Sequence, residues 1–483
     1  MIRWMAEIVN GSAGGAARGG APRFRMPHTL VIVGSLVAIV LVLSWIVPSG
    51  AYRTAEAGGR TVTVPGTYER VDKVLLGPQW LLLAPIKGYL DGALIIAFLV
   101  LIGGAFNVIQ STGVVEFAIR RVTASLASRP SLEKLVIPVL MILFSLAGSV
   151  FGMAEEVIPF VLITVPLALS LGYDSITGVA IPFLGAASGF GAAFFNPFTV
   201  GIAQGIVGLP LYSGLGYRVA TWFVTVGVMT TWVVVYAARV KRRPESSPVF
   251  ELDRARELPA TGAGEVEPWT TRRVLVLSLF VAAMGILVWG ILEKSWFIEE
   301  IGALFLAMGL VMGALAGLKA NEIATSFVAG AKDMVGVTLI IACGRALLII
   351  AKEARILDTV LAAGASVITL LPAVVAAQVM FVVQCVINFF IHSGTAQAAL
   401  TMPIMAPLAD LVGLTRQTMV YAYQLCELIN PILPTSAVTM GVLGMAKIPW
   451  ETWARWVLPL MLVLVALSLL LLVPPVLMHW GPF

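Results

Sequence analysis

Glu155 and Glu156 stand side by side in an otherwise apolar stretch, directly after Gly152-Met153-Ala154. A charged side chain near the bilayer centre costs about 3 kcal/mol on insertion scales, so it is expected to face a cavity or a cation. Consecutive helical residues point about 100° apart, so the two cannot serve one partner equally. The expected division gives one glutamate to a solute site and one to a structural partner; if the tip reaches the cytoplasmic surface instead, both are merely solvated. Glu427 precedes Asn430 by one helical turn on the same face and is a third carboxylate of this kind. Arg345 falls inside an apolar run and needs an anion, for which Asp358, Glu155 and a solute carboxylate are the candidates. Three acids and one arginine at membrane depth fit a zwitterionic or cationic solute. If one of the acids carries a proton, an anionic solute fits as well.

Neutral polar residues cluster at two further kinds of place. Ser393-Gly394-Thr395 lies between two short apolar arms and Gly152-Met153-Ala154 between two others, as in hairpins that enter and leave a membrane on one side. The second arm of such a hairpin begins with unpaired N–H groups and a positive dipole end, which favour a carboxylate. Ser393 and Thr395 could touch that ligand or simply cap the helix. His392 beside them could titrate near neutrality or be packed. Asn196-Pro197 and Asn430-Pro431, with Thr199, Thr435 and Ser436 close by, interrupt two long apolar regions. Proline frees the carbonyl one turn back, and such oxygens with Asn and Thr could hold Na⁺ or an ammonium group. The glycines that follow (Gly201, Gly205, Gly441, Gly444) suit close helix packing. Asn107 and Gln110 are weaker polar candidates. Cys343, Cys385 and Cys426 are scattered in apolar sequence and read as small core residues. With three histidines and no cysteine pair, neither a metal centre nor an enzyme is expected, and no cofactor beyond a coupling ion, Na⁺ or H⁺.

The elements that must position these residues follow from hydrophobicity. Of 483 residues 59% are hydrophobic and 12% charged, about half the charge of a soluble domain, so lipid must solvate much of the surface. Apolar spans are expected at 29–47, 92–110, 218–238, 272–292, 297–317, 335–351 and 456–478. Interrupted helices are expected at 176–210 and 416–447, and hairpins at 135–171 and 373–412. Irregular backbone at membrane depth survives only against protein or a water-filled cavity, so these four regions are where a site should lie. Residues 1–28 read as a cytoplasmic tail without a signal peptide, 48–80 as a small extracytoplasmic extended structure, and 239–271 as a mobile cytoplasmic linker. Twenty of the 31 Lys and Arg fall in segments assigned to the cytoplasm, which sets the N-terminus inside. The modest basic excess argues orientation, not nucleic-acid binding.

A single register of 241 residues relates the two halves. Gly103 meets Gly344, Ala105 meets Ala346, Ile163 meets Ile404, Pro166-Leu167-Ala168 meets Pro407-Leu408-Ala409, and Gly172 meets Gly413. With 272–292 as an extra connecting span, the halves 29–238 and 293–483 have opposite orientation. The expected fold is therefore an all-α membrane protein of the inverted-repeat secondary-transporter type, with two re-entrant hairpins, two broken helices and about nine full spans. A channel is the remote alternative, since broken helices also build pores.

The stretches GMAEEVIPFVLITVPLALSLGYDSITG, FFNPFTVGIAQGIVGLPLYSG and PTSAVTMGVLGMAKIPW resemble the YfcC group of basic amino-acid or C4-dicarboxylate carriers, within the ion transporter superfamily. The resemblance covers nearly the whole chain, and NPFTVGIAQG is its most specific part. Carboxylate-transporting members of that superfamily carry Ser-Asn-Thr at both hairpin tips. Here the second tip is Ser393-Gly394-Thr395, followed by MPIMAPLA as in that pattern, and the first has no hydroxyl. A symmetric dicarboxylate clamp is thus not expected. Where the group carries Gly-Asp before the asparagine, this chain has Cys426-Glu427. The resemblance implies an inner-membrane homodimer in which one domain slides like an elevator, carrying a small organic solute. An amino acid, with a basic one favoured, is the first expectation and a C4-dicarboxylate the second. The solute-site residues are expected to be Glu155, Glu156, Asn196, Thr199, Arg345, Ser393, Gly394, Thr395, Glu427, Asn430, Thr435 and Ser436, with Glu155, Glu427, Asn196 and Asn430 at the coupling ion.

Overall fold

Each apolar span expected from hydrophobicity is a helix in the computed structural model, which describes residues 29–256 and 270–481 apart from 58–59, 65, 116, 119–120, 122–124, 126–129, 295 and 297. The tail 1–28 and the linker residues 257–269 lie outside the described residues. The spans run Thr29–Ile46, Ala93–Ser111, Leu215–Arg242, Thr271–Lys294, Ile298–Leu315, Val335–Glu353 and Trp450–Leu471. Large apolar side chains point away from the protein, among them Leu370 (84% exposed), Leu82 (76%) and Ile46 (72%). In water such a surface would cost about 25 cal/mol for each Å²; hydrocarbon removes that cost. Among the described residues nine helical stretches are long and apolar enough to cross a membrane. The chain is a multi-pass membrane protein. The nine are not the set expected, since they include the first hairpin arms, 132–151 and 373–390, and omit 271–294 and the interrupted 175–206.

The first of the irregular regions is Pro130–Phe151, a tip at 152–154, a 3₁₀ turn Glu155–Val157, and Ile158–Ser170. Its counterpart is Ala373–Phe390, a tip at 391–393, and Gly394–Leu411. The interrupted helices are Ser175–Gly191 with Pro197–Gly201 and Ile202–Ile206, and Arg416–Leu425 with Cys426–Ile432 and Ala437–Met445. Local chemistry recurs at the 241-residue offset. The Tyr173 and Leu414 amides close the ends of the two second arms on Ala168 O and Ala409 O, at 2.9 and 2.8 Å. The next helices are then capped by Asp174, which accepts from Thr177 N, and by Thr415, which accepts from Thr418 N.

Short helices outside the expected elements include Leu357–Ile368, Trp80–Asp91 and Ala320–Asp333. Trp80–Asp91 and Ala320–Asp333 occupy segments read as loop, because their apolar content is too low for a span. The 80–91 helix packs on 335–353 from the other half, and 320–333 packs on 93–111. Each crossing is made by a glycine: a Cβ at Gly88 would sit 2.2 Å from Ala342 O, and one at Gly330 would sit 2.2 Å from Gly103 O. No larger residue fits either position without separating the helices. Spans 29–46 and 298–315 pack on the same two central helices, 335–353 and 93–111 respectively. The halves are thus braced across each other.

The extended structure expected at 48–80 is two antiparallel ribbons, Gly50–Ala51 with Glu69–Arg70 and Thr54–Ala57 with Arg60–Thr63. The Tyr52 amide of this region donates to Asp358 at 2.9 Å. Partial burial and the Asp358 charge push the Tyr52 phenol up to about 12.

The linker reading needs correction for residues 239–256. The 215–242 helix continues to Arg242, and Phe250–Arg254 is a further helix. Asp253 is buried and accepts from Ser175 N at 2.8 Å, Ser247 donates to Asp174 at 2.7 Å, and Arg256 donates to Ala446 O at 2.5 Å. Polar composition alone suggested mobility; these bonds to backbone and carboxylate hold the segment down. Burial pushes the Asp253 carboxyl up, opposed by the Ser175 and Arg256 donors.

Candidate solute site

The two tips and the two interruptions meet around one cavity of about 630 Å³. Residues 152–155 of the first tip and 392–395 of the second line it. Pro197, Phe198, Glu427, Asn430 and 435–438 add the wall from the interrupted helices. Ile95 and Arg345 close it from the central spans, while Phe183 and Phe190 supply aromatic faces. Of the twelve expected site residues, Glu155, Arg345, Ser393, Gly394, Thr395, Glu427, Asn430, Thr435 and Ser436 stand on the wall. Glu156, Asn196 and Thr199 lie behind it.

The two adjacent glutamates diverge as the 100° rule requires. Glu155 faces the cavity, and Glu156, 7% exposed, turns back to accept from its own tip at Ala154 N, 2.8 Å away. Glu427 is 2% exposed and accepts from Asn430 Nδ2 at 2.5 Å. Arg345 takes a partner the sequence did not suggest. It pairs with Asp91 at 3.5 Å, whereas Asp358 is engaged with Tyr52. Asp91 ends a helix read as loop, so no sequence pattern pointed to it.

Most hydroxyls at the site are already used locally. Ser393 accepts from Ala396 N at 3.4 Å and Ser436 from Thr439 N at 3.3 Å, each at the start of a helix. Thr395 donates to Phe198 O at 3.1 Å, tying the second tip to the first interruption. His392 and Thr435 share a 2.8 Å hydrogen bond. Gly394 is where the backbone comes closest to its neighbours. A Cβ there would lie 2.6 Å from Thr199 Cγ2 and 3.1 Å from the Tyr423 hydroxyl, which donates to Gly394 O at 2.6 Å.

The freed carbonyls do not remain free. Thr439 Oγ1 donates to Asn430 O at 2.8 Å, Trp453 Nε1 to Pro431 O at 2.7 Å, and Trp450 Nε1 to Ile432 O at 3.0 Å. Asn196 spends its side-chain oxygen as a helix cap on Phe198 N (2.9 Å) and Thr199 N (3.2 Å). The Asn196 side-chain oxygen and these three carbonyls are thus engaged, while Asn430 Oδ1 and Glu427 Oε1 have no hydrogen-bond partner. The two Asn-Pro breaks are not equivalent either. Asn196 starts a helix, as Ser436 does in the other half, while Asn430 sits inside the Cys426–Ile432 turn. The two interrupted helices are bound to one another by side chains: Gln424 donates to Ala193 O at 2.6 Å and accepts from the buried Arg218, and Gln417 accepts from Gln204 at 3.2 Å.

Residues 26–476 match the C4-dicarboxylate anaerobic carrier family, DcuC. The chain belongs to this family. It is 37% identical over 474 residues to the Escherichia coli (strain K12) protein named, provisionally, basic amino acid antiporter YfcC, covering 90% of this chain and 93% of that one. It is 27% identical over 495 residues to an uncharacterised protein of Haemophilus influenzae, covering 93% and 97%. The YfcC resemblance read from the motifs is thereby borne out. Among solved structures it is similar to the Alcanivorax borkumensis YdaH transporter, with a TM-score of 0.40 at 17% identity, covering 94% of this chain and all of that one. MtrF of Neisseria gonorrhoeae, from a class of antimetabolite efflux pumps, matches with a TM-score of 0.40 at 16% identity, covering 97% and 96%. The family match over 26–476 and the 37% identical YfcC relative make the chain a transporter.

Proposed function

We propose that this transporter is a secondary active carrier of an amino acid, with a basic amino acid as the leading solute. The observation that carries the reading is the charge on the cavity wall. Glu155 and Glu427 face a space whose one arginine, Arg345, already shares its charge with Asp91. That balance suits a solute bringing net positive charge. The helix starts at Gly394 and Ala437 border the same space, so a carboxylate has dipole ends to meet while its ammonium groups meet the glutamates. The relative named for basic amino acid antiport agrees with this reading.

The second reading, a C4-dicarboxylate, is favoured by the family description and by the same helix starts. In that case Glu155 or Glu427 would carry the coupling proton. The architecture proposed with either solute is an inverted repeat with two re-entrant hairpins. It is supported by the shared offset of arm ends and caps and by the reciprocal Gly88 and Gly330 crossings. The hairpins and interrupted helices would move as one body against the braced spans, an elevator motion that re-exposes the cavity. Inner-membrane placement with a cytoplasmic N-terminus follows the Lys and Arg bias. The homodimer comes from the group resemblance. Coupling to H⁺ or Na⁺, or exchange, belongs to the same proposal.

The test is uptake into proteoliposomes of labelled arginine, ornithine, aspartate and succinate, with pH and Na⁺ gradients varied and internal solute present or absent. Arginine or ornithine uptake stimulated by internal amino acid supports the leading reading. Succinate uptake without amino-acid uptake replaces it with the second, and currents beyond carrier turnover without counterflow would indicate a channel.

A further inference from the structure

A second cavity, of about 620 Å³, lies along the same interface as the solute cavity. Span 93–111 borders the solute cavity at Ile95 and the second cavity at Gly103, Phe106 and Gln110. Helix 437–445 does the same, with Ala437 at one end and Met445 at the other. The walls of the second cavity come from opposite sides of the interface. Helices 93–111 and 320–333 belong to the braced spans, whereas 158–170, the docked segment 250–256 and the turn at 445–447 belong with the hairpins and interrupted helices. A void of this size leaves little packing to hold the two sides together there.

Polar links cross the interface at one turn beside it. Lys447 pairs with Asp333 at 2.7 Å, and Thr29 donates to Glu451 at 3.1 Å. Asp333 ends a braced helix of the second half, and Thr29 begins a span of the first. The turn that receives both is fixed on its own side by Arg256, which donates to Ala446 O at 2.5 Å. Lys447 holds an unusual backbone position. Its φ is 53°, and the turn is closed by Lys447 N on Gly444 O (3.0 Å) and Ile448 N on Leu443 O (2.9 Å). Glycine is usual at such a helix end, because a Cβ is strained at positive φ. The interrupted helix of the first half ends in the same two bonds, Gly208 N on Gly205 O and Leu209 N on Gln204 O, with Gly208 at 74°. A lysine where the first half has glycine is explained by what its side chain reaches. Lys447 and Asp333 are 65% and 49% exposed, so their pair adds little to overall stability. Its leverage is on the relative position of the two bodies.

We propose that Lys447–Asp333, assisted by Thr29–Glu451, is a clasp that holds the hairpins and interrupted helices against the braced spans in this conformation. Neither residue of the pair lines the solute cavity, so both act as positioning residues. An exposed pair is weak, and the clasp therefore sets a balance between conformations without locking one. The motion it controls rests on the carrier reading. The clasp is measured without solute, so its failure and a failed uptake assay are separate results.

The test is the distance between nitroxides placed by Lys332→Cys and Arg455→Cys, two exposed positions beside the clasp. It is measured by pulsed electron spin resonance on full-length protein in lipid nanodiscs, with protein lacking these two cysteines labelled in parallel as background. One main distance and a minor second one are expected. D333A and K447G should each raise the minor fraction about 2- to 5-fold, the range that an exposed ion pair can set. The double variant should match the singles, because the two residues act through one bond. Thr29→Val should act in the same direction. D333K combined with K447D restores the pair with its charges reversed, and aspartate tolerates positive φ, so the distribution should return to that of the parent. K447G separates the clasp from folding: glycine relieves the backbone at that turn, so Tm should not fall. Identical distributions in D333A, K447G and the parent would overturn the proposal whether or not the protein transports the solutes tried, as would a reversed pair that behaves like K447G. A shift in a protein that transports none of them supports the clasp and counts against the carrier reading alone.

Discussion

Replacing Glu155 and Glu156 one at a time by glutamine separates two roles that share almost the same sequence position. Glu155→Gln removes a charge from the cavity wall and leaves in place the bond from Ala154 N to Glu156. A charge-assisted hydrogen bond to a solute ammonium contributes about 1.5–3 kcal/mol, so half-saturation for a cationic solute should rise about 10- to 150-fold. A neutral amino acid should lose less. Glu156→Gln keeps an oxygen opposite Ala154 N, 2.8 Å away, and loses only the charge component of that bond. About 1 kcal/mol of stability is at stake, or a few degrees or less in Tm for a chain of this size, with transport largely kept. Glu156→Ala, which leaves a buried N–H without an acceptor, should cost about 1–3 kcal/mol. The assay is proteoliposome uptake for all three variants, normalised to folded protein by gel filtration, with Tm measured in parallel. Full transport by Glu155→Gln together with loss of transport by stable Glu156→Gln would refute the assignment. Full transport by both would remove these carboxylates from the mechanism.

Gly394→Ala should lower uptake at least tenfold while the protein still elutes as a single species, because the new Cβ must displace Thr199 from 2.6 Å and overpacking of that kind typically costs about 1–3 kcal/mol. Unchanged uptake would mean the tip is looser than it stands here. Gln424→Leu strips the buried Arg218 of its hydrogen-bonded partner and should cost about 3 kcal/mol, read as a fall in Tm and yield; Arg218→Met added to it should recover most of the loss, since removing both partners of a buried polar pair is far less harmful than removing one. Asp253 has its carboxyl pushed up in the docked linker, so the docked state holds its proton to higher pH. Docking is then favoured below the ordinary carboxyl range and weakens as pH rises through the raised value. Hydrogen exchange over 244–256, corrected for its intrinsic pH dependence, should speed up across that window in the native protein and lose this dependence in Asp253→Asn.

The spans were legible because hydrophobicity over about 20 residues is a strong and local signal. So was the site's location, because small and polar residues inside such runs make sense only around a cavity. What sequence left hidden depended on partners far away in the chain. The 80–91 and 320–333 helices are too short and too polar to read as spans, and their stability comes from Gly88 and Gly330 seated on helices of the opposite half. Asp91 as the partner of Arg345 went unseen for the same reason. The linker was misread from its charges: Asp253 and Arg256 are polar because they hold Ser175 and Ala446, not because they are solvated.

The Asn-Pro breaks show the limit most clearly. Sequence treats Asn196 and Asn430 as equivalents, since each precedes a proline in an apolar run. In space Asn196 is a cap and is spent on two amides, whereas Asn430 positions a carboxylate. Proline does free carbonyls, but whether they stay free depends on residues downstream. Thr439, Trp450 and Trp453 supply three donors from 9 to 22 positions away. Unmet acceptors remain on Asn430 and Glu427 at the second break, and also on Asn388 and Gln397, two amides within apolar hairpin arms that no motif singles out. A proline break therefore marks where a site can form. Which oxygens remain available is decided by the donors that the rest of the fold brings to them.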